Sequence, residues 1–310
     1  MNPARPTRAT VTSSFTRKLR RRFDFRQSVA APSLLTWFEV IGYTVLLEQD
    51  IASVKYRIGR TSYTDVVLGV DAERLVVRHH LYSALKRINP TLPDQAIAAA
   101  ICQITTTDSN LLENNRRFHK LLTDGIEVEY LLNEQIVYDK VWLIDSDNLL
   151  NNDWLVIHPF TVVEGSHAHC PDVVVFINGL PLAVIVSIDP SDEQGTIKAG
   201  YERIKTYIQH IPKLFYYNAF VVITCGNQAR VGTLTSNLQE FFPWRTIDGE
   251  DFPANGATEL EVLIQGVFDK RRFLHLLQHF IVFESTKVGI KKKLLFRPFC
   301  TINTKRYLPD

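Results

Sequence analysis

Pro171-Asp172-Val173-Val174-Val175-Phe176-Ile177-Asn178-Gly179-Leu180-Pro181-Leu182-Ala183-Val184-Ile185-Val186-Ser187-Ile188 is the stretch from which the architecture can be read. Asp172 opens an apolar run, Val173–Ile177. Asn178-Gly179 follows, the strongest short-range hairpin signal, because both residues tolerate the positive φ of a two-residue turn. A second apolar run, Leu182–Ile188, completes the hairpin. One carboxylate stands at its entrance, and the second strand carries no charge.

Outward from the hairpin, periodicity and breakers predict a mixed sheet flanked by helices. Leu34–Val40 suits a helix ended by Gly42. Val45–Ile58 is mixed, with short strands, and Tyr63–Leu68 precedes a helix over Leu81–Ile88, stopped by Asn89-Pro90. Asp94 caps an Ala-rich helix through Ile101, and Asn110 opens another through Phe118 to Leu122, ended by Asp124-Gly125. Strands are expected at Ile126–Leu132, Ile136–Ile144, Trp154–Val163 and Ala219–Ile223, with a helix over Thr196–His210 and one or two more over Leu260–Phe283. No internal repeat is found.

The chain has 310 residues, 45% hydrophobic and 22% charged, ordinary for a globular protein with a sizeable core. No apolar run approaches the roughly 18–20 residues needed to span a membrane, and no signal-peptide core lies near the start. Cys102, Cys170, Cys225 and Cys300 are scattered with no CxxC pair, so a reducing cytoplasm is expected, without a zinc or disulfide framework. The net charge of +2 hides an asymmetry. Residues 1–26 hold eight Lys/Arg against one acid, and residues 287–310 hold seven against one. The body is left with 20 against 31, about −11. Three parts are expected: a basic, solvated arm over 1–27, a folded domain over 28–286 and a basic tail over 287–310. The Arg17–Arg22 cluster could touch nucleic acid; an Arg- and Ser-rich transit peptide is a further reading of the same residues.

Asn151-Asn152-Asp153-Trp154, Phe160-Thr161-Val162 and the Pro171–Leu182 segment resemble the N-terminal nuclease domain of the type I restriction enzyme R subunit. So do Ile211–Asn218, Ala229–Thr235 and Pro243–Asp251, with fainter echoes at Leu85–Pro90, Glu113–Asn115 and Leu143–Asp145. The likeness spans roughly residues 30–285. It implies a PD-(D/E)xK restriction-endonuclease-like α/β fold. In that fold a carboxylate at the Asp172 position and a Glu on the next strand hold Mg2+, and a Lys two residues on helps activate the attacking water. Residues two apart on a strand face one side, so Glu and Lys address the phosphate together.

Here the Glu position matches Val186 and the Lys position matches Ile188. The family's Gln-x-x-x-Tyr reads Arg203-Ile204-Lys205-Thr206-Tyr207, and an upstream Glu aligns with Ala31. One carboxylate is a poor Mg2+ site, and Val186 and Ile188 present apolar bulk where a cation should sit. A migrated carboxylate would be Glu202, with Lys198 or Lys205 as cation. However, Ala199, Arg203 and Tyr207 are expected to form the inward helix face, leaving Glu202 off-axis. Asp189 should turn to the opposite face of the strand. Asp172 is expected to cap a strand or pair with Arg203.

His167, Ala168, His169 and Cys170 could suggest a metal site, with Glu164 or Asp172 nearby, but loop polarity explains them more simply. Gln194-Gly195-Thr196 reads as a helix start, and no GxxxxGK[ST] phosphate loop is present. The altered ending, Lys291–Cys300, does not resemble entry to a helicase motor. The resemblance implies a chain that continues into such a motor, whereas this one stops; a truncated or frameshifted gene product is expected from both facts, and a cloning boundary would explain only the shortness. The expected function is a degenerate nuclease-like R-subunit domain. Its partners would be DNA and the methyltransferase and specificity subunits. The rivals are an active Mg2+-dependent endonuclease with a migrated site, and a non-catalytic DNA- or subunit-binding module.

Overall fold

In the computed structural model, residues 31–47, 78–108, 110–192, 195–248, 256–287 and 289–295 are described. The expectations for the 1–27 arm, for most of Val45–Ile58, for Tyr63–Leu68 and for residues 296–310 lie outside them.

The hairpin forms as its turn chemistry requires. Asn178 and Gly179 adopt φ of 53° and 77°, joining β7 (Val173–Ile177) to β8 (Leu180–Ile188). Ile177 pairs with Leu180, and a bulge lies between Val175 and Phe176. Among the described residues, these strands sit inside a six-stranded sheet. β1 (Thr44–Leu47) runs parallel to β4 (Trp154–His158), and β4 antiparallel to β7. Beyond β8, β9 (Phe220–Cys225) is parallel to it, and β10 (Gln228–Gly232) closes the edge antiparallel to β9.

Every residue of β7 and β8 is buried, and alternation divides them between two cores. Val173, Val175, Ile177, Leu182 and Ile185 enter the larger one. That core also receives α1 (Ala31–Val40), α2 (Arg78–Ile88), α3 (Asp94–Thr105), α4 (Leu111–Asp124), α6 (Glu259–Val267) and α7 (Lys270–His279). Val174, Phe176, Val184, Val186 and Ile188 enter the smaller core, covered by α5 (Ile197–His210). Each fully buried Val or Ile contributes about 1.5–3 kcal/mol, so both faces favour the hairpin's place at the centre.

Among the described residues there are also three outlying hairpins: β2 (Ile126–Leu132) with β3 (Gln135–Val141), β5 (Val162–Glu164) with β6 (His167–His169), and β11 (Ile281–Thr286) with β12 (Gly289–Leu294).

Buried asparagines tie loops to this frame. The Asn178 side chain accepts from the Asp153 amide at 2.7 Å and donates to Leu143 O and Asn152 Oδ1. Asn115 donates to the carbonyls of Phe215, Tyr216 and Asn218. Asn89 bridges Leu85 and Trp142.

Several expectations need correction. The single strand over Trp154–Val163 is two, divided at the His158-Pro159 peptide, because proline lacks the ladder N–H. Pro93, not Asp94, holds the N-cap of α3. The end of Leu260–Phe283 is strand. The tail placed from residue 287 begins as strand: β12 pairs along its length with β11 and buries Lys292.

Candidate functional site

Asp172 lies in the bend immediately before β7. Its Oδ2 accepts the Ser187 amide at 2.8 Å, which ties the head of β7 to β8. Arg203 of α5 places Nη1 3.5 Å from the same oxygen and 3.5 Å from Ser187 O. Burial pushes the Asp172 carboxyl above its ordinary range. The Ser187 amide, Arg203 and His158 act in the opposite direction.

Beside it, Val186 is 0% and Ile188 4% exposed. Both pack in the smaller core with Ile204 and Tyr207 of α5. The helix comes so close because Gly200 has no side chain. A Cβ there would lie 2.2 Å from Ile223 Cγ2 and 3.3 Å from Ile188 Cγ1. Tyr207 directs its hydroxyl to Cys170 O at 3.4 Å. Burial and the nearby Asp172 raise its pKa, so it is a neutral phenol.

Mg2+ demands near-octahedral oxygen coordination and is held by carboxylates. The donor set here is one carboxylate whose Oδ2 already has an amide and a guanidinium, beside two packed aliphatic side chains. These residues do not fit the ion. Among the described residues, Asp172 belongs to no cluster of three metal-donor side chains.

The other sequence candidates are dispersed. Glu202 is 57% exposed and pairs with Lys205 on the surface at 3.5 Å, and Lys198 is exposed. The inward face of α5 is Gly200, Ile204 and Tyr207. The expected Ala199–Arg203–Tyr207 face is therefore corrected by one residue at two of its three positions, and Arg203 reaches Asp172 from the flank. Asp189 Oδ1 accepts the Ser191 amide and hydroxyl. Ala31 begins α1; its side chain is outside the described set. Glu164 accepts the Lys213 amide, and burial raises its pKa.

One grouping is only half visible in the sequence. His167 and His169 lie two apart on β6, and His210, the last residue of α5, meets them. Residue spacing points to the first two. Nothing local marks His210, which is 41 residues from His169.

A mixed sheet flanked by helices, with a carboxylate heading the central hairpin and a helix laid across its second strand, defines the class of restriction-endonuclease-like α/β domains. The family described as "Type I restriction enzyme R protein N terminus (HSDR_N)" matches residues 29–240, and the chain belongs to it. It is 30% identical over 239 residues to the type I restriction enzyme HindI endonuclease subunit of Haemophilus influenzae. It is 28% identical over 249 residues to the putative type I restriction enzyme MjaIXP endonuclease subunit of Methanocaldococcus jannaschii. These matches cover 75% and 74% of this chain but 23% of each relative. A third relative, the Escherichia coli type I restriction enzyme EcoprrI endonuclease subunit, is 28% identical over 54% of this chain and 52% of its own length. No described helix is long and apolar enough to cross a membrane.

Proposed function

We propose that this domain retains the frame of a type I restriction nuclease without its hydrolytic chemistry, and acts by binding DNA or the other subunits of a restriction complex. The observation that carries this is the state of Asp172. Its carboxylate serves a strand cap and an ion pair, beside Val186 and Ile188 packed under α5. A cation entering there would have to displace Arg203 and lie against aliphatic carbon. Glu202 is turned to solvent and paired, which disfavours the migrated-site reading. The partners in this reading are DNA, a methyltransferase subunit and a specificity subunit. Its setting in this reading is the cytoplasm.

A manganese soak of crystals of this chain tests the reading. We expect no ion at ligand distance from Asp172. An ion bound there with water completing its shell would overturn it.

A further inference from the structure

We propose that His167, His169 and His210 form a binding site for one late first-row divalent transition ion, of which Zn2+ is the natural occupant. One ring nitrogen from each of the three side chains can be chosen so that all three lie within 4.8 Å of one another. His169 Nε2 and His210 Nδ1 are already 2.8 Å apart. The His167 ring stacks on His210 with centroids separated by 4.0 Å.

The placement has two structural origins. His167 and His169 share one face of β6 because strand side chains alternate, and the tight pairing of β6 with β5 holds that strand. His210 ends α5, where the helix presents its carbonyl end and favours positive charge.

The donor set selects the class of ion. Three imidazole nitrogens without a carboxylate suit Zn2+, Cu2+ or Ni2+, whereas Mg2+ and Ca2+ take oxygen. Zn–N bonds are about 2.0–2.1 Å, so tetrahedral ligands stand about 3.4 Å apart. The His169–His210 contact must open slightly and His167 swing inward. His167 is exposed and able to turn, and its exposure leaves a fourth position to water. The ion would take the place of the hydrogen-bond contact between His169 and His210. It would clamp the β5–β6 hairpin to α5, next to Tyr207, whose ring lies 5.2 Å from His169.

The test uses the full chain without a polyhistidine tag, freed of metal by chelator dialysis. Zn2+ is titrated in competition with a chromophoric chelator. One tight equivalent is expected, unaffected by excess Mg2+. Loss of an outer-shell partner alone typically weakens a site 10–100-fold, so His167→Ala and His210→Ala should each weaken it by at least about tenfold. His275 and His279, a neighbouring pair on α7 with centroids 4.8 Å apart, provide the control. His279→Ala should leave the tight equivalent intact. Should a variant fail to fold, visible absorption of the Co2+-loaded wild-type chain reports the geometry directly, with tetrahedral nitrogen coordination expected. Absence of a tight equivalent, its survival in both His167→Ala and His210→Ala, or its loss in His279→Ala would each refute the site, as would an octahedral Co2+ spectrum.

Discussion

Asn115 and Lys292 show how much of the core's order rests on single polar side chains. Asn115 serves three backbone carbonyls and accepts from Lys292 Nζ at 2.9 Å, while Lys292 also donates to Asn218 O at 2.6 Å. Burial lowers the Lys292 pKa to about 7, and His119 beside it is held near 4 by burial and by Lys292. An unfolded lysine titrates near 10.4. Between pH 7 and 10 the unfolded chain therefore binds a proton that the folded chain does not, so stability rises with pH across that window and this contribution levels off below it. Urea unfolding at pH 7 and pH 9.5 should show that rise in the wild type, and Lys292→Met should flatten it. An equal slope in both would contradict the assignment. Asn115→Ala removes the donor to Tyr216 O and the acceptor of Lys292, while Phe215 O and Asn218 O keep the Asn218 amide and Lys292; at about 1–3 kcal/mol per unmet buried group, a loss of about 3 kcal/mol is expected by chemical denaturation. Asn178 was legible beforehand, because Asn-Gly between apolar runs has a local mechanism. Asn115 was not, since its partners lie about a hundred residues away; only the family likeness marked it.

Among the elements, α5 and β12 are where sequence reading and structure part. The start of α5 was readable from Thr196, which caps it. Its inward face was misplaced because glycine carries no hydrophobic mark and arginine reaches inward from a flank. Gly200→Ala tests the corrected packing. Alanine gains about 1 kcal/mol of helix propensity, but its Cβ meets Ile223, and overpacking costs about 1–3 kcal/mol. Net destabilisation is expected in a denaturant titration; a stabilised variant would mean that α5 is not seated on β8 and β9. In β12, Lys291-Lys292-Lys293 reads as a solvated charge run. The strand instead separates the three. Lys291 pairs with Glu240, Lys292 turns inward, and Lys293 pairs with Glu284. Charge counting cannot see that alternation without knowing that β11 lies alongside.

Across the whole molecule, the hairpin, the mixed sheet and the apolar positions at Val186 and Ile188 were legible, because strand runs and turn chemistry are local. The pairing of Arg203 with Asp172 was legible through the family likeness, whereas the meeting of His210 with β6 depends on how α5 crosses the sheet and was not fixed by any local pattern. The basic arm over residues 1–26, set against an acidic body, predicts weak DNA binding without sequence preference. Affinity should fall steeply between about 50 and 200 mM salt, and removing residues 1–26 should abolish most of it. Unchanged binding after that truncation would move the DNA contact to the folded domain.

Plasmid nicking in Mg2+ or Mn2+ tests the proposed loss of chemistry most directly. It compares the wild type, Val186→Glu with Ile188→Lys, and the same pair with Arg203→Gln, each alongside Asp172→Ala. The new glutamate, buried without metal, should destabilise the repaired chains by roughly several kcal/mol or stay protonated, so they should gain stability on adding Mn2+. The account predicts no nicking by the wild type, and activity in the repaired chains that depends on Asp172. Robust wild-type nicking that disappears in Asp172→Ala would contradict it.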